Sequence, residues 1–196
     1  TLQVIEENFF SNTELNYVRN KIFLLKDLWQ TKNNIQFLPY GRYVIPYDQY
    51  IWNSKKYNLI LEKHFYHQYF QIKQRISEFL NKDIDYDKFK SLPGFHIFGP
   101  GPFKYNNVNF HQDKFSESDI IKSYVIPICL PVNQNGLIYI KDNIIHRIDY
   151  KIGSLIYWDG TLQHSIEPFE LKENEYRITW QMHSSTNLKN NTVLFW

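Results

Sequence analysis

The feature that most constrains this chain is a change of period near residue 93. Before it, apolar residues recur every three or four positions; after it, short runs with strand-like spacing are separated by turn residues. Upstream, residues 2–6 read as a short strand, and Ser11 with Glu14 reads as a capping box that opens a helix. Leu15, Val18, Ile22, Leu25 and Trp29 then lay one apolar stripe along a helix of about five turns. Residues 35–46 carry Gly and Pro and read as extended chain with turns. A second long helix is expected over about 56–80, lined on one side by Leu61, Phe65, Tyr69, Ile72, Ile76 and Leu80. Downstream, strands are expected at 95–98, 108–112, 121–130, 137–141, 144–150, 155–158, 164–166 and 176–183. So many short strands in about 90 residues suggest a double-sheet jelly roll. Two helices alone offer little core, so they are expected to cover one face of the same domain. The fold class is therefore mostly β with flanking α. Residues 1–196 read as one domain, with helical support in 1–92 and the jelly-roll core in about 93–184.

Composition removes several classes of function. The 22 basic and 20 acidic residues leave a net charge of +2, which argues against nucleic acid as a partner. The one cysteine, Cys129, excludes an internal disulfide and a cysteine-rich zinc site, so a reducing, cytoplasmic location is expected. No run approaches the roughly 20 apolar residues that span a bilayer. The first residues lack the basic-then-apolar order of a signal peptide, so no membrane association is expected. The composition leaves the oligomeric state open.

The sharpest local pattern is His111-Gln112-Asp113. Side chains two apart on a strand point the same way, so His111 and Asp113 can converge on one metal ion while Gln112 faces elsewhere. His164 stands 51 residues beyond Asp113, and four intervening strands in a closed sandwich can bring the chain back beside its start. Two imidazoles and one carboxylate form the facial triad that holds non-haem Fe(II) with open coordination positions. Arg177 follows 13 residues after His164, with Thr179 on the same expected strand face. A buried guanidinium is costly unless it meets an anion, and its planar fork fits a carboxylate. Thr179 can add a hydroxyl hydrogen bond, so the pair reads as a carboxylate receptor.

The ordered set His111-x-Asp113, His164, Arg177-x-Thr179 resembles the Fe(II)- and 2-oxoglutarate-dependent dioxygenases, whose catalytic domain is a double-stranded β-helix of jelly-roll type. The resemblance covers roughly residues 93–184. It implies that His111, Asp113 and His164 bind iron, and that Arg177, assisted by Thr179, pairs with the distal carboxylate of 2-oxoglutarate. It further implies O2 as cosubstrate and oxidation of a substrate C–H bond, in the simplest outcome a hydroxylation. Halogenating relatives lack the carboxylate ligand, and Asp113 is present, so halogenation is disfavoured.

Other residues are placed by their position relative to these. Tyr105, Asn107 and Asn109 precede the His-x-Asp pair at alternating spacing and are candidates for contact with 2-oxoglutarate or substrate. Tyr124, on the following strand, is a candidate donor to the cosubstrate carboxylate, against ordinary sheet packing. Trp158 is a candidate wall of the substrate pocket, against a place in the core. Gln181 and His183 continue the parity of Arg177 and Thr179, at a growing distance from the anion site. His96 is the first substitute ligand to test should His164 be displaced. The loops at 99–107, 114–119 and 39–56 are expected to rim the open end. The last of these, with Tyr40, Tyr43, Tyr47, Tyr50 and Trp52, suits a small-molecule or amino-acid-like substrate and also allows a peptide. Two alternatives stand beside this reading. One is a metal cupin or oxidase that does not use 2-oxoglutarate, and the other is a non-catalytic jelly-roll binding module.

Overall fold

The computed structural model describes residues 2–31, 42–45, 54–86, 92–114, 119–132 and 136–196. Strand β1 (Leu2–Glu6) leads into helix α1 (Asn12–Leu24) through the expected capping box. Glu14 N–H donates to Ser11 Oγ and Ser11 N–H donates to the Glu14 carboxylate, each at 3.2 Å. This satisfies two of the N–H groups that a helix start leaves without a partner. The helix is shorter than the stripe suggests, because a 3-10 turn at Lys26–Leu28 takes over. Trp29 instead folds back and donates its indole N–H to the Ile22 carbonyl at 3.0 Å. Strands β2 (Gln30–Thr31) and β3 (Arg42–Ile45) precede helix α2 (Ser54–Leu80). Residues 42–45 are thus a strand inside the stretch expected to be extended chain with turns. Most of the aromatic 39–56 segment and the centre of the 114–119 loop lie outside the described residues.

The remaining strands are β4 (Asp85–Tyr86), β5 (Gly94–Phe98), β6 (Phe103–Tyr105), β7 (Asp119–Cys129), β8 (Gly136–Lys141) and β9 (Ile144–Asp149). They are followed by β10 (Leu155–Asp159), β11 (His164–Ile166), β12 (Phe169–Leu171), β13 (Arg177–Asn187) and β14 (Val193–Phe195). A large sheet runs β1-β10-β7-β13-β5-β3-β2, with β14 beside β13 and β4 beside β14. A three-stranded sheet, β11-β8-β9, and a two-stranded pair, β12-β6, form the second layer. This is the jelly roll expected from the spacing. Its large sheet recruits β1, β3 and β14, and so reaches beyond residues 93–184 on both sides.

Each face of the large sheet builds a different core. Leu15, Val18 and Ile22 of α1 and Leu61, Phe65, Ile72 and Ile76 of α2 are buried in one cluster with Phe95, Ile126, Ile178, Trp180 and Met182 of the sheet. Trp180 is its centre, with ring centroids 4.4 Å from Phe95, 5.2 Å from Tyr69 and 5.6 Å from Phe65. Its indole N–H donates to the Pro93 carbonyl at 2.9 Å, so burying this polar atom costs little. On the other face, Val125, Ile156 and Trp158 pack against Leu137 and Tyr150, and Phe98 packs against Phe103, Phe169 and Leu171. The space between the layers is where the polar candidates converge.

One expected strand, 108–112, is extended chain joined to the fold by a single bridge, His111 to His164. Asn106 to Asn109 are exposed there, so no second row of burial builds a ladder.

Candidate metal centre

Two segments, residues 111–113 and 160–164, converge between the layers. The His111–His164 bridge is closed by two backbone hydrogen bonds of 3.1 and 3.0 Å, and Asp113 N–H donates to the Gly160 carbonyl at 2.9 Å. Gly160 is required here: a Cβ would lie 2.4 Å from the Asp113 carbonyl oxygen and 2.8 Å from Ile121 Cβ. Four strands, β7 to β10, separate Asp113 from His164 in sequence, and the sandwich returns the chain to its start.

The side chains that result are His111, Asp113 and His164, whose ligand atoms all lie within 4.8 Å of one another. Asp113 carboxylate oxygens are 3.7 Å from His111 Nε2 and 3.3 Å from His164 Nε2. Both imidazoles are fixed in the same way. Nδ1 of His111 lies 2.8 Å from the Asn109 carbonyl oxygen and Nδ1 of His164 lies 2.9 Å from that of Leu162. A carbonyl only accepts, so each Nδ1 carries the proton and each Nε2 presents a lone pair to the cluster. Burial lowers the His164 pKa, which favours the neutral ring that a metal needs. The side chains of Asp113 and His164 are 12% and 5% exposed while that of His111 is 50% exposed, so the cluster opens to solvent on the His111 side. Two imidazoles and one carboxylate, with one side open, are a donor set for a divalent first-row metal such as Fe(II).

The carboxylate is itself clamped. Ser123 Oγ donates to Asp113 Oδ2 at 2.6 Å and Trp158 Nε1 donates to the same oxygen at 3.2 Å. Trp158 also sets its ring 5.0 Å from that of His164. Trp158 is thus both core and support for the carboxylate, and at 5% exposed it stands behind Asp113 rather than as a wall of an open pocket.

Arg177 opens β13 and is buried, facing the same interior. Three rings surround its guanidinium, with centroids at 5.3 Å (Phe169), 5.6 Å (Tyr150) and 6.0 Å (Phe98). Burial pushes the Tyr150 phenol up to about 12, with Arg177 pulling down and the Asp113 charge pushing up. One hydroxyl therefore feels both the arginine and the Asp113 carboxylate. Thr179 is fully buried on the same face and accepts from Gln181 Nε2 at 3.1 Å.

The remaining sequence candidates separate. Tyr124 falls on the opposite face of the large sheet, in the helix-side core beside Phe79, Tyr157 and Phe195, with its hydroxyl 2.8 Å from Ser184 Oγ. It cannot reach the interior, and Ser123 occupies the inward position. Tyr105 stacks on Phe169 at 5.2 Å, on the Arg177 side of the interior. Asn109 serves through its backbone, since its N–H donates to Ser165 Oγ and its carbonyl holds His111, while its side chain and that of Asn107 are exposed. His96 pairs in register with Thr179, and His164 holds the place for which His96 was the substitute. Sequence reasoning missed Ser123 and Tyr150. An inward-facing serine beside a ligand carboxylate has no local signature; a tyrosine ending a strand has a weak one.

The architecture and the cluster together define a jelly roll with a two-histidine, one-carboxylate cluster that could hold a metal ion. Comparison with known structures agrees on the fold. A 2OG-Fe(II) oxygenase-family oxidoreductase from Burkholderia pseudomallei superposes with a TM-score of 0.56 at 12% identity, covering 94% of this chain and 82% of that one. The epimerase SnoN, a non-heme alpha ketoglutarate dependent enzyme of nogalamycin biosynthesis, gives 0.55 at 8% identity over 91% and 75%. A prolyl hydroxylase from Trichoplax adhaerens, solved with a hypoxia inducible factor peptide, gives 0.54 at 10% identity over 92% and 82%. No family model matches the chain, and no curated protein matches it by sequence. The chain thus has the double-stranded β-helix fold of the 2OG-Fe(II) oxygenases, and carries within it a triad able to hold their metal.

Proposed function

We propose that this protein is an Fe(II)- and 2-oxoglutarate-dependent oxygenase that oxidises a C–H bond of a small-molecule or amino-acid-like substrate, with hydroxylation as the simplest outcome. The observation that carries this reading is a buried arginine, ringed by Phe169, Tyr150 and Phe98, in the same interior as the triad. Iron(II) bound to the triad, together with O2, supplies the oxidising chemistry, in which 2-oxoglutarate is converted to succinate and CO2.

The chain's own residues have separable tasks. His111 and His164 offer Nε2 because their Nδ1 protons are committed to backbone carbonyls. Asp113 offers Oδ1, since Oδ2 already accepts from Ser123 and Trp158. Arg177 presents a forked cation whose position is fixed by its aromatic surround, the chemistry that receives a carboxylate through two parallel hydrogen bonds. Tyr150, held protonated at neutral pH, and Thr179 supply hydroxyl donors for the same anion. A 2-oxo diacid carries one end that can chelate a metal and a second carboxylate that suits the arginine fork. Tyr105, stacked beside Phe169, closes the arginine end.

The similar folds include a prolyl hydroxylase and an epimerase, so architecture does not select the outcome of oxidation. We place the reaction in the cytoplasm, in keeping with the single cysteine. Among the described residues no helix is long and apolar enough to cross a membrane. The test is succinate formation by the purified protein with iron and 2-oxoglutarate. Production dependent on both supports the reading. Oxidation of a substrate with iron alone, without succinate, favours an oxidase that does not use the 2-oxo acid.

A further inference from the structure

The clamp on Asp113 extends one residue beyond Ser123. Ser123 on β7 and His183 on β13 are register partners on adjacent strands, and their side chains point into the same interior. Ser123 Oγ lies 2.6 Å from Asp113 Oδ2 and 2.9 Å from His183 Nδ1. A hydroxyl has one proton to give. An ionised carboxylate only accepts, so that proton goes to Asp113, and the Ser123 oxygen must accept from the histidine. His183 Nδ1 is therefore the donor, and the chain of bonds has one direction: His183 Nδ1–H to Ser123 Oγ–H to Asp113 Oδ2.

The histidine is held from behind. Its backbone N–H and C=O both pair with Trp196, one of these bonds being 3.0 Å, and the Trp196 ring lies 5.8 Å from the imidazole. The backbone pairing fixes the Cα–Cβ direction of His183, and the Trp196 ring packs against one side of its imidazole.

We infer that His183 is a positioning residue for the metal centre. By donating to Ser123, it fixes the serine hydroxyl as a donor to Asp113 Oδ2 and so leaves Oδ1 as the oxygen directed at the metal. The inference rests on the triad binding a metal, and it adds a role that no ligand-set argument contains. Without His183, the Ser123 hydroxyl can rotate toward other acceptors, and the carboxylate is free to turn or to bind through both oxygens. With an Asn in its place, an amide N–H can return to the Nδ1 position.

The test is Co(II) binding to the full chain, followed anaerobically by calorimetry and by the visible absorption of the bound ion. Ser123→Ala should weaken Co(II) by about 10- to 100-fold, the usual range for losing a supporting hydrogen bond on a metal ligand. His183→Ala should weaken it by several-fold, up to about 10-fold, and alter the Co(II) spectrum, while His183→Asn returns both affinity and spectrum toward wild type. His183→Phe, which keeps a ring against Trp196 but has no donor, should behave as His183→Ala does, and it replaces that variant if the alanine protein does not fold. Wild-type affinity and spectrum in the folded His183→Ala or His183→Phe protein would overturn the inference. So would a His183→Asn protein as impaired as His183→Ala. Absence of Co(II) binding by the wild type instead overturns the metal reading itself, and so the two failures are distinguishable.

Discussion

The two faces of strand β13 obey different rules. Ile178, Trp180 and Met182 point toward the helices and are fully buried among apolar neighbours. Arg177, Thr179, Gln181 and His183 alternate with them and point into the sandwich, where Arg177 meets aromatic rings and the other three make side-chain hydrogen bonds. The period of two along a strand thus divides one eleven-residue segment into a face that holds the fold together and a face that prepares a site. Volume decides what the first face tolerates; partner geometry decides the second.

Substitutions on each face should separate these roles. The largest effect is expected on the helix side: Trp180→Ala removes the ring at the centre of the core and should cost about 3–5 kcal/mol, a large share of a domain's usual stability. Urea unfolding measures it, and a cost under about 1 kcal/mol would show that the helices do not depend on this face. On the inner face, Asp113→Ala should weaken metal binding by at least about 100-fold while the protein keeps its far-UV circular dichroism spectrum. Loss of the fold in that variant would mean that the two faces are not independent. Next in size, Arg177→Lys should weaken 2-oxoglutarate by about 10-fold or more with metal affinity retained, because a point charge cannot reproduce a forked contact. Unchanged 2-oxoglutarate affinity would remove Arg177 from the site.

The smallest effect concerns pH. Burial raises the pKa of Tyr69, Tyr86 and Tyr124, all in or against the helix-side core. Their contribution to stability is fully present below the unfolded value near 10. It is lost as pH rises above that value, because the unfolded chain releases these protons first. Each tyrosine should contribute a fall of about 1.4 kcal/mol per pH unit in that range. Tyr124→Phe should make the alkaline decline shallower, and an identical slope would show that its phenol is not shielded.

Much of this contrast was written in the sequence, and the part that was not has a physical cause. Helix α2 was legible because its apolar residues repeat at helical spacing over many turns. The triad was legible because His111 and Asp113 sit two apart and the strand count predicted the return at His164. Strands β6, β12 and β14 have three residues each, too few to show a period. The face of Tyr124 is not legible in the sequence, because β7 is buried on both sides from Ser123 to Ile128, and a strand of that kind has no alternation to read. Ser123 and His183 are 60 residues apart, and only the register of β7 against β13 makes them neighbours.

The most direct measurement is the anomalous scattering at the iron edge from crystals grown anaerobically with Fe(II) and 2-oxoglutarate. The account predicts one iron bound by Nε2 of His111, Nε2 of His164 and Oδ1 of Asp113, with the far carboxylate of 2-oxoglutarate on Arg177. Iron bound elsewhere, or a 2-oxoglutarate that leaves Arg177 untouched, would contradict it.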